Sequence, residues 1–270
     1  MDSPSAQISF PELYEQALVG PLFRPFAEPT LEEITLRTGE RVLDIACGTG
    51  IVARLAKERV GPDGKVVGVD VNAQMLVVAR RVAPGIDWRE GDAGSLPLLP
   101  DERFDAVVCH QGFQFFPDRL DAANGMRRAL AIGGRVAIAT WRPDDEAPFV
   151  RKLRDVAERH LGPIFDRRHS FGEPGAVEAV LRDAGFRDVR SRIVSRTIRF
   201  ADGSVFVRLN AMALVGMSAA SKSLSDEERQ RIVETIATDS VDIMRSCTDA
   251  HGLAFELSTN LTTASCQGPS

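Results

Sequence analysis

Three aspartates stand where strand-like runs end or give way to loops: Asp44 inside VLDIACGTG (Val42–Gly50), Asp70 in VVGVDV, and Asp92 in GDAGSLP. Carboxylates so placed can hold the hydroxyls or ammonium of a ligand through charge-assisted hydrogen bonds of about 1.5–3 kcal/mol each. Gly48 and Gly50 permit close backbone approach and unusual dihedrals. The helix expected from Ile51 would add its free N–H groups. The glycines alone leave the ligand open, because Gly48, Gly50 and Ala53 also satisfy the GxGxx(G/A) pattern of nicotinamide and flavin enzymes. Asp44 separates the readings, since dinucleotide sites place no comparable acid inside the strand before the loop. His110 and Gln111 follow a fourth apolar run, and an imidazole with an ordinary pKa of about 6.5 could serve there as a general base.

Positioning these groups requires a sheet. The runs Arg41–Ala46, Lys65–Val71, Ile86–Glu90, Phe104–His110 and Gly134–Trp141 alternate with helical stretches. That is the pattern of an α/β fold with a mostly parallel sheet and helices on both faces. In such sheets ligands bind beyond the carboxyl ends of the strands. Upstream, ELYEQALVGPLFRPFA has helical spacing and carries the only tyrosine, Tyr14. Thr30 and Glu33 form a TxxE box that predicts a short helix ending near Gly39. Helices are expected around Val150–His160 and Gly175–Ala184, then a long strand rich in arginine (Arg187, Arg190, Arg192, Arg196, Arg199), read as a solvated edge guarded against aggregation. His160 and His169 receive the same surface reading.

Helical periodicity over Ser204–Met217 and Asp226–Arg245, the second opened by a Ser225/Glu228 capping box, precedes a last strand in GLAFELSTNLTTASC. Compact domains usually join neighbouring elements with ~2–6 residues, so these helices read as a cap over the site. The expected division is N-terminal helices or lid over 1–40, core over 41–203, helical cap over 204–249, and final strand with a frayed CQGPS tail over 250–270.

A net charge of −5 disfavours a nucleic-acid partner, whose binding requires a concentrated positive surface. No stretch approaches the ~20 apolar residues of a membrane span, and MDSPSAQISF lacks a basic segment followed by an apolar run. Cytoplasmic location is therefore expected. Cys47, Cys109, Cys247 and Cys266 form no CxxC pair, and no His/Cys/Asp/Glu group has metal-ligand spacing, so no metal is expected. A homodimer stays open.

Four blocks, in order, resemble the class I, Rossmann-like S-adenosylmethionine-dependent methyltransferases, in the broad small-molecule, quinone-biosynthesis-like (type 11) branch. They are VLDIACGTG, VVGVDVN, GDAGSLPLLPDERFDAVVCHQGFQFF and MRRALAIGGRVAIATW; the likeness is close over Glu12–Trp141 and only in outline beyond. It implies a seven-stranded sheet and S-adenosyl-L-methionine as cofactor, with S-adenosyl-L-homocysteine as product. Asp44, Ala46, Gly48 and Gly50 would form the loop that holds it, Asp70 would accept the ribose hydroxyls, and Val71 and Met75 would pack on the adenine. Asp92 and Ala93 would meet the adenine edge, His110 and Gln111 would stand between cofactor and acceptor, and Tyr14 would close over the methionine end. Phe113, Phe115, Phe116 and Trp141 suggest an apolar acceptor site.

The implied reaction is methyl transfer to an O, N or activated C atom of a small, partly apolar metabolite. A sulfonium methyl is intrinsically electrophilic, so alignment in a dry pocket can supply ~7–11 kcal/mol, and a base is needed only for a protonated acceptor. The alternatives are an NAD(P)-dependent oxidoreductase and a noncatalytic S-adenosylmethionine-binding regulatory protein.

Overall fold

The computed structural model describes residues 9–267; most of MDSPSAQISF, read as lacking a leader pattern, and the end of the CQGPS tail lie outside them. The chain opens with α1 (Phe10–Leu13), a π-helical stretch (Tyr14–Phe23) and α2 (Arg24–Glu33), then β1 (Arg41–Ile45), α3 (Ile51–Val60), β2 (Lys65–Asp70), α4 (Ala73–Val82) and β3 (Asp87–Glu90). There follow β4 (Phe104–His110), α5 (Arg119–Ala129), β5 (Leu130–Trp141), α6 (Pro148–Leu161), α7 (Ala176–Asp183) and β6 (Arg187–Phe200). α8 (Gly203–Met217), α9 (Asp226–Asp239), α10 (Val241–Ser246), β7 (Thr248–Asp249) and β8 (Gly252–Ser265) complete it.

Seven strands run in the order β3-β2-β1-β4-β5-β8-β6, and the two-residue β7 adds an eighth against β8. β1 to β5 are mutually parallel, whereas β8 is antiparallel to both β5 and β6. Alternation along β1 shows how the layers form: Val42 joins the core beneath α2, α3 and α4, while Leu43 and Ile45 join the core beneath α5 and α7. A smaller cluster unites α6, α8 and α9 through Val156, Leu214, Val233 and Ile236. β6 lies at the sheet edge, where Arg190 and Arg192 reach Glu33, and Arg199 reaches Asp249. The arginine-rich strand thus has the charged edge expected of it. No helix among the described residues is long and apolar enough to cross a membrane.

Two helix boundaries differ from the sequence reading. Thr30 does not open a helix but lies inside α2, where its hydroxyl donates to the Phe26 carbonyl at 2.7 Å. The helix ends at Glu33, six residues before Gly39. The helix expected over Asp226–Arg245 is broken at Ser240, which is fully buried and donates to the Ile236 carbonyl at 2.7 Å. The Ser225/Glu228 box does open α9. Cys266, read as frayed, is buried and its N–H pairs with the Gly134 carbonyl.

One indole governs local packing under the β1 loop. Trp88 of β3 is buried, and its Nε1 donates to the Ala83 carbonyl at 2.9 Å. A Cβ added at Gly68 would stand 2.3 Å from the ring, and one at Gly50 would stand 2.2 Å from it. Both glycines are therefore set by the wedge. We expect Gly68→Ala to lower stability by ~1–3 kcal/mol through overpacking. Gly216→Ala, at a helical position with open space around it, should raise stability by up to ~1 kcal/mol. Urea titration of both variants checks the pair, and equal effects would refute the assignment.

Candidate functional site

β1 ends at Ile45, and the next residues take dihedrals that few sequences tolerate: Ala46 has φ 57°, Gly48 55° and Gly50 92°. Such strain concentrates at functional sites. The turn survives because neighbouring groups hold it. The Cys47 N–H donates to the Val69 carbonyl at 3.1 Å, joining the loop to β2. Asp70 accepts the Gly48 N–H on Oδ2 and the Asn72 N–H on Oδ1, each at 2.8 Å. Asp44 accepts the Ala53 N–H at 3.0 Å. Asn72, not Asp70, caps α4 by accepting from Gln74 and Met75, so each Asp70 oxygen keeps acceptor capacity on the loop side.

Burial pushes the Asp44 carboxyl up to about 8, against the Ala53 hydrogen bond, and the charge of Asp70 adds to the rise. Burial also raises Asp70, opposed by its two backbone donors. Two carboxyls held above their usual range beside one loop are matched to donors or a cation.

The strand ends open on a cavity of about 570 Å³. Of the residues expected to form the site, Tyr14, Asp44, Ala46, Gly48, Asp70, Val71, Met75, Asp92, Ala93, His110, Gln111, Phe115, Phe116 and Trp141 line it. Two do not. Gly50 is the N-cap of α3 and turns toward Trp88. Phe113 is fully buried in the core under α5, against Phe116 and Phe171, at ring separations of 5.6 and 6.0 Å. It is therefore core, and Phe115 with Phe116 forms that wall.

β4 ends as sharply as β1. Gln111 has φ 59°, its N–H donates to the Ala139 carbonyl at 2.8 Å, and its Nε2 donates to the Thr259 hydroxyl at 2.9 Å. A Cβ on the next residue, Gly112, would collide with Ala46 at 2.4 Å, so the two strained turns press together. Burial depresses His110 to about 3, so its ring is neutral at physiological pH, and its Nε2 is buried without a partner. The ordinary value near 6.5 expected for it does not hold. Its neighbours on one side are aromatic: Phe23 stands edge-on at 6.4 Å and also packs with Tyr14 at 4.9 Å and Trp141 at 6.1 Å.

The cavity also holds residues that sequence reasoning missed, chiefly Phe23, Arg168, His169 and Asn210. His169, read as a surface residue, is one of them. A usable signal was present: RRHS falls in a loop between the α6 terminator Gly162 and Gly172, in the segment after the fifth strand. Only long-range contact brings it to the strand ends. His160, by contrast, pairs with Asp239 on the outside.

These residues fit S-adenosylmethionine. A Cβ on Gly48 would meet nothing nearer than the Tyr14 hydroxyl at 3.9 Å, leaving the backbone bare toward the cavity. The Gln111 Oε1 is a buried acceptor without a donor.

The comparisons agree with this geometry. A family described as a methyltransferase domain matches residues 42–134. The chain is 33% identical to nocamycin O-methyltransferase of Saccharothrix syringae, over 62% of this chain and 66% of that one, just under two thirds of that relative's length. It is 36% identical to demethylmenaquinone methyltransferase of Thermus thermophilus, over 54% of this chain and 74% of the relative. A phosphoethanolamine N-methyltransferase of Haemonchus contortus, solved with S-adenosylhomocysteine, shares the fold with TM-score 0.55 and 18% identity, over 97% of this chain and 61% of that one. On the relative that it covers by three quarters, and on the loop, strand ends and sheet order together, the chain belongs to the class I S-adenosylmethionine-dependent methyltransferases, in the type 11 branch.

Proposed function

We propose that this protein transfers the methyl group of S-adenosyl-L-methionine to an O, N or activated C atom of a small, partly apolar metabolite in the cytoplasm. The observation that carries the reading is one cavity shared by two groups of residues: Asp44, Gly48, Asp70 and Asp92 at the carboxyl ends of the parallel strands, and Phe23, Trp141, Phe206 and Leu257 opposite. The polar half suits the cofactor, the apolar half an acceptor.

Bound there, S-adenosylmethionine would supply a methyl group on a positively charged sulfur. Asp70 would accept the ribose hydroxyls, and Asp44 would draw the ammonium toward the loop backbone. Val71 and Met75 would cover the adenine, with Asp92 and Ala93 at its edge. Tyr14, on the π-helical stretch, would close the methionine end; its hydroxyl stays protonated because burial and the nearby Asp70 push its pKa up. The neutral His110 and Gln111 would line the passage between cofactor and acceptor. We assign α8, α9 and α10, spanning 203–246, to the cap expected over 204–249: Phe206, Leu209 and Met217 of α8 form part of the acceptor wall. The acceptor's exclusion from water then follows from the same helices.

The first test is isothermal titration. S-adenosylmethionine and S-adenosylhomocysteine should bind and NAD(P) should not; the reverse would sink the reading. Asp70→Ala should weaken cofactor affinity by roughly tenfold or more, through loss of charged hydrogen bonds, and unchanged affinity would remove Asp70 from the site.

A second test uses pH. Asp44 has a native pKa raised to about 8, so the folded chain keeps a proton that the unfolded chain has released. Stability of the ligand-free protein should therefore fall as pH rises from the ordinary carboxylate range toward about 8. Asn at this position carries no such penalty. Asp44→Asn should melt at least ~2 °C higher than wild type near pH 8, with the difference closing near pH 4, while binding cofactor less well. Differential scanning calorimetry across this range decides it; a constant difference would contradict the buried-acid assignment.

A further inference from the structure

We propose that His169 accepts the proton of a hydroxyl-bearing acceptor, phenolic or enolic, with Nε2 as the receiving atom. The inference rests on the methyl-transfer reading and names the acceptor class and a catalytic residue for it. His169 lines the cavity. Its Nδ1 lies 2.7 Å from the Arg142 carbonyl, which can only accept, so Nδ1 carries the hydrogen. Nε2, at the opposite end of the ring, makes no hydrogen bond within the described residues and keeps its lone pair. A backbone carbonyl thus fixes both the tautomer and the orientation of the ring.

The loop that carries this histidine is fastened to the sheet. Asn260 of β8 donates from Nδ2 to the Gly172 carbonyl at 2.7 Å and accepts from the Arg142 guanidinium at 3.0 Å. The Arg142 N–H donates to the Ser258 carbonyl. A Cβ on Gly172 would stand 2.5 Å from the Trp141 carbonyl, so the loop lies directly against the end of β5. On the other side the Arg168 guanidinium donates to the Asp166 carboxylate at 2.6 Å and to the side-chain Oδ1 of Asn210 on α8 at 2.9 Å. The histidine is therefore held between core and cap.

Comparison with His110 separates the two imidazoles. His110 is enclosed by burial alone, with no carboxylate to favour its charged form. His169 is also lowered by burial, but Asp166 and, more weakly, Asp144 and the Arg142 carbonyl oppose that, while Arg168 reinforces it. Asp144 is shared with Arg154 of α6 at 2.7 Å, and the Arg142 side chain is paired with Glu146. A transient imidazolium at His169 has counter-charges within reach; one at His110 has none.

The step balances. The acceptor O–H bond breaks with its proton passing to Nε2, the oxygen pair forms the new bond to the methyl carbon, and the C–S pair returns to sulfur. The imidazolium then loses its proton to water.

Nitrogen-15 spectra of histidine-labelled protein saturated with S-adenosylhomocysteine, assigned with His169→Asn, should show Nδ1–H and a bare Nε2 near neutral pH. An Nε2–H tautomer overturns the proposal, whether or not an acceptor is found. A panel of phenols, quinols and amines gives the second readout. For hydroxyl acceptors His169→Asn should reduce kcat by ~100-fold or more and abolish the acidic limb of the rate profile, with S-adenosylhomocysteine affinity within about twofold of wild type. An unchanged rate on hydroxyl acceptors, or products methylated only on carbon or nitrogen, overturns it. Failure of wild-type protein to bind S-adenosylhomocysteine would instead remove the methyl-transfer reading beneath it.

Discussion

Two acidic side chains beneath one loop, Asp44 buried and Asp70 half-buried, are the constraint on which the rest of the site depends. Asp70 takes the Gly48 N–H and Asp44 takes the Ala53 N–H, so the strained turn after β1 is held from below by acceptors. Neither acid has a cation paired with it among the described residues. Their desolvation is tolerated because backbone donors partly satisfy them, and a cationic, hydroxyl-rich ligand would complete the set. The loop could be simpler if it only joined a strand to a helix; its cost in strain and desolvated acids makes sense as preorganisation.

The same economy appears at β4, where Gln111 takes a left-handed conformation and is secured to Ala139 and Thr259. Thr259 belongs to β8, which runs antiparallel between β5 and β6. Chain from the far end of the sequence therefore braces the centre of the site. The reversed strand also brings Asn260 to the turn after β5, and with it the loop that carries Arg168 and His169. The reversal is more than a topological detail, because it ties the loop that binds Asn210 of α8 to the strand ends.

Most of the fold was legible because its signals are local. Continuous apolar runs marked β1, β2, β4 and β5, glycines marked the turns, and Ser225 with Glu228 marked the start of α9. The Thr30/Glu33 pair misled for an equally local reason: a threonine can cap a helix or return its hydroxyl to the carbonyl four residues back, and only packing chooses. In the site, Asp44 and Asp70 were readable from their place at strand ends, while Phe113 was not separable from Phe115 and Phe116 by spacing. Which ring of three faces the core depends on the twist after Gln111. For His169 the loop position was readable but not its place in the site, because that place is set by Asn260 and Gly172, remote in sequence from Trp141.

The two tryptophans of the chain divide the molecule between them. Trp88 lies under the loop glycine Gly50 and beside Gly68, and Trp141 stands in the apolar wall against Phe23 and Phe26. Trp141 lines the cavity itself, whereas Trp88 lies beneath the loop that borders it, so a mutation in the apolar wall and one in the loop would disturb the packing of different indoles.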